Sequence, residues 1–187
     1  MIVAKRDKKR ENTQSRGGRR CELRPGHVLI VTGGRCTEPA YFNGLARVHR
    51  ARVKVRQKTD SPEKLVRYAK SIFTEDEYDS MWCVVDVDEF DIEAARAEAD
   101  RQGVGLVVSD PCFELWLVLH FADHRGHIDS GKAACKLLAK HLPGYDKKLD
   151  YAAFDDRVEV AIKRAKELPA GNPSTDVWRL VEVLLRH

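Results

Sequence analysis

The sequence predicts an α/β fold: a parallel sheet of about four strands flanked by helices, followed by an α-helical C-terminal extension. Three observations lead there. Short apolar runs end in glycine turns or acids, as buried strands do. Stretches of about ten residues with helical periodicity separate those runs, the spacing of parallel β-α-β units. Beyond His120 no strand pattern is obvious, and only helical patterns remain.

In order, "HVLIVT" is a buried strand that breaks at Gly33-Gly34. A helix is expected from about Pro39 to Val48, with Pro39 suited to a first turn. "ARVKVRQ" alternates Val53 and Val55 with charges and reads as a half-exposed strand. Ser61-Pro62 opens the next helix, whose inner face carries Leu65, Val66, Ala69, Ile72 and Phe73. "MWCVVD" is the third strand and ends on Asp86. "DIEAARAEADRQ" is a helix stopped by Gly103, and "VGLVVS" is the fourth strand. Asp110-Pro111 then starts the apolar helix "CFELWLVLHF". Three more helices are expected, near Lys132–Leu142, Arg157–Leu168 and Ser174–Leu185.

The chain has 187 residues, enough for one full core and too few for two comfortable domains. The domain is expected over 26–187, with its helical extension from about 122. No apolar run approaches the roughly 20 residues that span a bilayer, and the N-terminus lacks a signal-peptide core. Five scattered cysteines without a CxxC fit reduced thiols, so a cytoplasmic protein is expected, with no membrane partner. Charge is segregated. Up to Arg24, nine Lys/Arg against three acids give +6, whereas the formal total is +4, so the remainder is slightly acidic. Residues 1–25 read as a basic, flexible arm, Arg19 and Arg20 included. Such an arm either grips a polyanion by counterion release or is a solvated tail.

The sharpest chemical signal is "CVVDVDEFD". Asp86 and Asp88 leave the C-terminal end of a strand and, two apart in extended chain, point to one side. Two carboxylates so placed suit a hard cation, Mg²⁺ or Mn²⁺. The glycine turn opens at the same sheet edge, where ligands of parallel sheets gather, so Glu38 can join them as a ligand or a base. The plainer alternative is that Asp86 and Asp88 end the strand and cap the helix at Ile92. Glu114, among Phe113, Leu115, Trp116 and Leu117, is a further ligand or orienting base, or simply an acid favoured by a helix N-terminus. His120, His124 and His127 do not have zinc spacing; His120 is expected to pack at the end of the apolar helix. The turn is neither GxxxxGK[ST] nor GxGxxG, and no serine sits in a nucleophile elbow. A haloacid-dehalogenase-like phosphatase, with Asp86 as nucleophile and Asp88 as acid/base, is a further alternative, weakened by Phe90 and Asp91 after the pair.

Five blocks stand out together: Thr37-Glu38-Pro39 with Tyr41-Phe42, Asp86-Val87-Asp88, "SDPCFELWLVLHF" from Ser109 to Phe121, "GYDK" ending at Lys147, and Asn172-Pro173-Ser174-Thr175. Together they resemble the RloB-like family of prokaryotic defence proteins. The resemblance spans about Val28 to Leu185. It implies a Toprim-type fold, shared with topoisomerases, primases and OLD-family nucleases, in which a Glu after the first strand and a DxD after the third hold Mg²⁺. It further implies nuclease action on DNA or RNA, an AAA/ABC-type ATPase partner, and a role in anti-phage defence of the abortive-infection kind. The oligomeric state is left open, a homo-oligomer included.

The sequence departs from the family pattern at the turn. There the family has Glu-Gly-Glu-Lys-Thr-Glu-Pro, and its first two glutamates fall on Gly33 and Arg35. The expected catalytic glutamate is thus a glycine. Either Glu38 moves in as the acid, with catalysis resting on Glu38, Asp86, Asp88 and Glu114, or the site binds without cutting. Arg35 and Lys147, with Arg19 and Arg20 of the arm, are the expected phosphate contacts. Ser109-Asp110-Pro111 in place of Ser-Asn-Pro is a milder change.

Overall fold

The computed structural model describes residues 26–87 and 92–186. The basic arm and Asp88 lie outside the described residues. The first four strands are β1 (His27–Thr32), β2 (Arg52–Gln57), β3 (Ser80–Asp86) and β4 (Gly105–Asp110). Helices α1 (Thr37–His49), α2 (Pro62–Ile72) and α3 (Ile92–Gln102) connect them. All four strands are parallel, in the order β2-β1-β3-β4, as alternation of strand and helix requires.

The period of two along each strand sorts the core into two layers. Val28 and Ile30 of β1, Val84 of β3 and Val107 of β4 face α1 and the C-terminal helices. Leu29, Val31, Cys83, Val85, Leu106 and Val108 face α2 and α3. Apolar residues on both faces of the central strands are the mark of a parallel sheet covered on both sides. Outer strand β2 differs: Val53 and Val55 are half-buried, and Arg52, Lys54 and Arg56 between them are exposed.

After β4 comes α4 (Glu114–Phe121), buried from Glu114 to His120. It lies at the centre of the larger layer, enclosed by α5 (Gly131–Ala139), α6 (Val158–Lys166) and α7 (Val177–Leu185). That position explains its lack of a polar face. Two short 3-10 turns, Tyr151–Ala153 and Asp155–Arg157, join α5 to α6. Two expectations are corrected. Asp110-Pro111, a cis peptide, does not open α4, which begins at Glu114. A fifth strand, β5 (Ser174–Thr175), stands where a helix start was expected and pairs antiparallel with the end of β4. The Ser109 and Thr175 hydroxyls are hydrogen-bonded at 2.8 Å. Asn172 donates to Asp110 at 3.0 Å and exchanges hydrogen bonds with the Ile128 backbone. The two proline-containing blocks, far apart in sequence, therefore form one corner beside the sheet.

Candidate functional site

The chain leaving β1 turns toward β2, and the chain leaving β3 turns toward β4. Between these diverging connections the sheet has a topological switch, the usual place for a ligand crevice. Two clefts open there. The first, about 630 Å³, runs from Gly33, Gly34 and Glu38 across to Thr59, Ser61 and Lys64. The second, about 720 Å³, lies between Cys112 and Glu114, the start of α5, Cys135 and Lys147. Asp86, at the end of β3, lines both.

Glu38 owes its position to the turn before it. It falls in the first turn of α1, and its carboxylate folds back to accept hydrogen bonds from the backbone N–H groups of Gly34 and of Glu38 itself. A Cβ on Gly34 would overlap both carboxylate oxygens, so any side chain there would push the Glu38 carboxylate out of this position. Gly33 is different. A Cβ there would meet Leu65 at 3.6 Å and the Val84 carbonyl at 3.8 Å, ordinary contacts, so sterics do not demand glycine at this position. Burial raises the Glu38 pKa above the usual carboxylate range. The Glu114 charge pushes the same way, while the backbone hydrogen bonds and Lys147 oppose it.

Glu114 is also buried and is surrounded by donors. The Tyr145 hydroxyl donates to its Oε1 at 3.3 Å, and Thr37 Oγ1 lies 3.1 Å from the same tyrosine oxygen. With the tyrosine proton on Glu114, Thr37 is left as donor to Tyr145. The Cys112 and Cys135 thiols also lie beside Glu114, close enough to feel its charge. Burial pushes both thiols and the Tyr145 phenol upward, and the Glu114 charge adds to it, so all three keep their protons. The carboxyl therefore has a satisfied buried setting rather than a free helix-end position.

Of the residues expected from sequence, the fold gathers Glu38, Glu114, Asp86 and Lys147 around the two clefts. Arg35 is exposed, and its Nε donates to Thr59 Oγ1 at 3.2 Å, which holds it toward the mouth of the first cleft. Asp88, Arg19 and Arg20 lie outside the described residues. Among the described residues, no group of three or more His, Cys, Asp or Glu side chains is arranged to hold a metal ion. His120 is buried with Nδ1 2.9 Å from the Trp116 carbonyl, so Nδ1–H donates and Nε2 accepts from the Tyr41 hydroxyl at 3.2 Å. It is a packed core histidine, as expected. Sequence reasoning missed Thr37, Cys112, Cys135 and the Tyr145 hydroxyl as partners of the acids. "GYDK" was the one signal pointing to Tyr145.

Together these features define a mostly parallel α/β protein with a carboxylate-lined crevice at its strand ends. A family model for RloB-like proteins matches residues 28–184, most of the chain, and the chain belongs to that family. No curated protein and no solved structure matches it. No helix among the described residues is long and apolar enough to cross a membrane.

Proposed function

We propose that this chain is a Toprim-like, divalent-metal-dependent nuclease. It would cut DNA or RNA in the cytoplasm, within an anti-phage system of the abortive-infection kind that includes an AAA/ABC-type ATPase. The observation that carries the reading is Asp86 at the C-terminal end of β3, sharing a cleft with Glu38 at the switch between β1 and β3. Family membership supports it.

The described carboxylates do not complete a metal site by themselves. Their chemistry nonetheless fits one: hard oxygen donors at a sheet edge, with Glu38 raised first by burial and then by a neighbouring acid, are a set that a cation relieves. Asp86 and Asp88, with Glu38, would hold Mg²⁺ or Mn²⁺, which polarises a phosphodiester oxygen and steadies the leaving oxygen when bound. Glu38 Oε is the group suited to take a proton from the attacking water, since a raised carboxyl is a better base. Glu114 positions Tyr145 and, through it, Thr37 at the first turn of α1. Lys147 and Arg35 supply cations for phosphate oxygens on either side.

The test is cleavage of labelled DNA and RNA by the full chain with its ATPase, in Mg²⁺, Mn²⁺ or EDTA. Metal-dependent cutting that falls at least about 100-fold in Asp86→Asn is expected. Cutting that is indifferent to EDTA and to Asp86→Asn would overturn the mechanism. Gly33 favours one second reading, a subunit that binds nucleic acid or the ATPase without cutting. That reading predicts binding without cleavage in every metal.

A further inference from the structure

The outer strand β2 carries a feature that the crevice does not use. Arg52, Lys54 and Arg56 alternate with Val53 and Val55 and are exposed. Val53 and Val55 pack toward α1, so the three cations stand on the opposite face. There α2 covers the neighbouring β1 and β3, with Leu65 and Val66 packed on Leu29, Val31 and Val85. Residues two apart on a strand are about 6.6 Å apart, so the cations form a straight, evenly spaced row. Among the described residues, no carboxylate is ion-paired with any of the three, whereas Lys58 and Lys64 just beyond both share Asp60.

The row has a direction. β2 runs parallel to β1, so it ends beside the turn that opens the first cleft. Lys58 N–H donates to the Thr32 carbonyl at 3.1 Å, and Gln57 donates to Thr59 at the cleft mouth, where Arg35 also donates. The cations thus lead along the sheet edge to the crevice that Glu38 and Asp86 line.

From this placement we propose that the β2 row is a rail for a nucleic-acid backbone, its phosphates on Arg52, Lys54 and Arg56, leading the chain into the first cleft. The proposal rests on the nuclease or nucleic-acid-binding reading and names the surface that serves it. Charge on an edge strand also guards against strand pairing, but a mixture of signs would do that equally well. Three exposed cations in one row repel one another, and a polyanion relieves them. The part of the chain after Arg24 is slightly acidic in total, so the row is not an average of its surroundings. A protein partner is the weaker fit. Hot spots between proteins are enriched in Trp, Tyr and Arg and sit in desolvated pockets; β2 offers arginines but no aromatic residue, and the only large hydrophobics exposed among the described residues are Val48 and Val160, neither of them on β2. A phosphate backbone is held by charge alone.

The experiment compares the full chain with Arg52→Gln/Lys54→Gln/Arg56→Gln, in EDTA so that no cleavage occurs. Fluorescence anisotropy of labelled single-stranded and duplex oligonucleotides is followed from low to high salt. Losing three phosphate contacts lowers the slope of log affinity against log salt by about 2 for single strands and about 3 for duplex. Whichever arm changes identifies the form that lies on the rail. An unchanged slope and affinity in both arms overturns the proposal, with the circular dichroism of the variant confirming that it is folded. A variant that keeps oligonucleotide binding but loses binding to polyglutamate assigns the row to an acidic protein and also overturns it. Because the readout is binding without metal, a chain that never cuts still tests the rail. Loss of cleavage in Asp86→Asn with intact binding would leave the rail standing.

Discussion

At Gly34 the missing side chain is what lets the Glu38 carboxylate fold back onto the turn. Alanine there would drive the carboxylate out of its backbone hydrogen bonds. Gly34→Ala is expected to cost about 1–3 kcal/mol, seen as a Tm lower by about 2–4 °C per kcal/mol; an unchanged Tm would mean that Glu38 is not held there. Gly33→Ala, with ordinary contacts at its Cβ, is expected to be close to neutral by the same measurement. The acids themselves were legible. Asp86 ends an apolar strand and Glu38 follows a glycine turn, and each position says "sheet edge" without knowledge of the fold. The donors around Glu114 were not legible. Tyr145 reaches Thr37 across 108 positions of sequence, and no local pattern records such a contact.

The elements followed the pattern where burial sets the pattern. The apolar runs of β1, β3 and β4 and the periodicity of α2 and α7 identified them, because each presents a continuous face to one of the two core layers. β5 escaped because two residues have no period, and its pairing with β4 depends on the distant Ser109. Its contribution is testable. Thr175→Val preserves shape but leaves the buried Ser109 hydroxyl without its 2.8 Å partner. The expected cost is about 1–3 kcal/mol in urea unfolding; a change near zero would show that the β4–β5 corner is held by other contacts. The start of α4 was misplaced for a related reason. Pro111 is suited to a helix start, but Asp110 before it is instead held by Asn172.

For the whole molecule, the two covered layers and the crevice at the switch follow from strand order, and strand order follows from alternating β and α units. The C-terminal extension is helical, as expected, and α5 to α7 pack with α1 and α4 into the larger layer of the core. The His120 site at the centre of that core ties stability to pH. Burial pushes His120 down to about 4 from an ordinary value near 6.5. As pH falls, the unfolded chain takes up this proton first. The stabilisation is therefore complete above about pH 6.5 and is lost as pH drops toward 4. An NMR titration is expected to find the His120 ring still neutral at pH 5.5; a ring titrating near 6.5 would contradict its buried place.

The central claim is that Glu38 serves where the family pattern has a glutamate at position 33. Single-turnover cleavage in Mn²⁺ by the full chain together with the proposed ATPase partner, wild type against Glu38→Gln, tests it most directly. The account predicts a rate loss of about 100-fold or more in Glu38→Gln with oligonucleotide affinity unchanged. Cleavage by Glu38→Gln at the wild-type rate would contradict it.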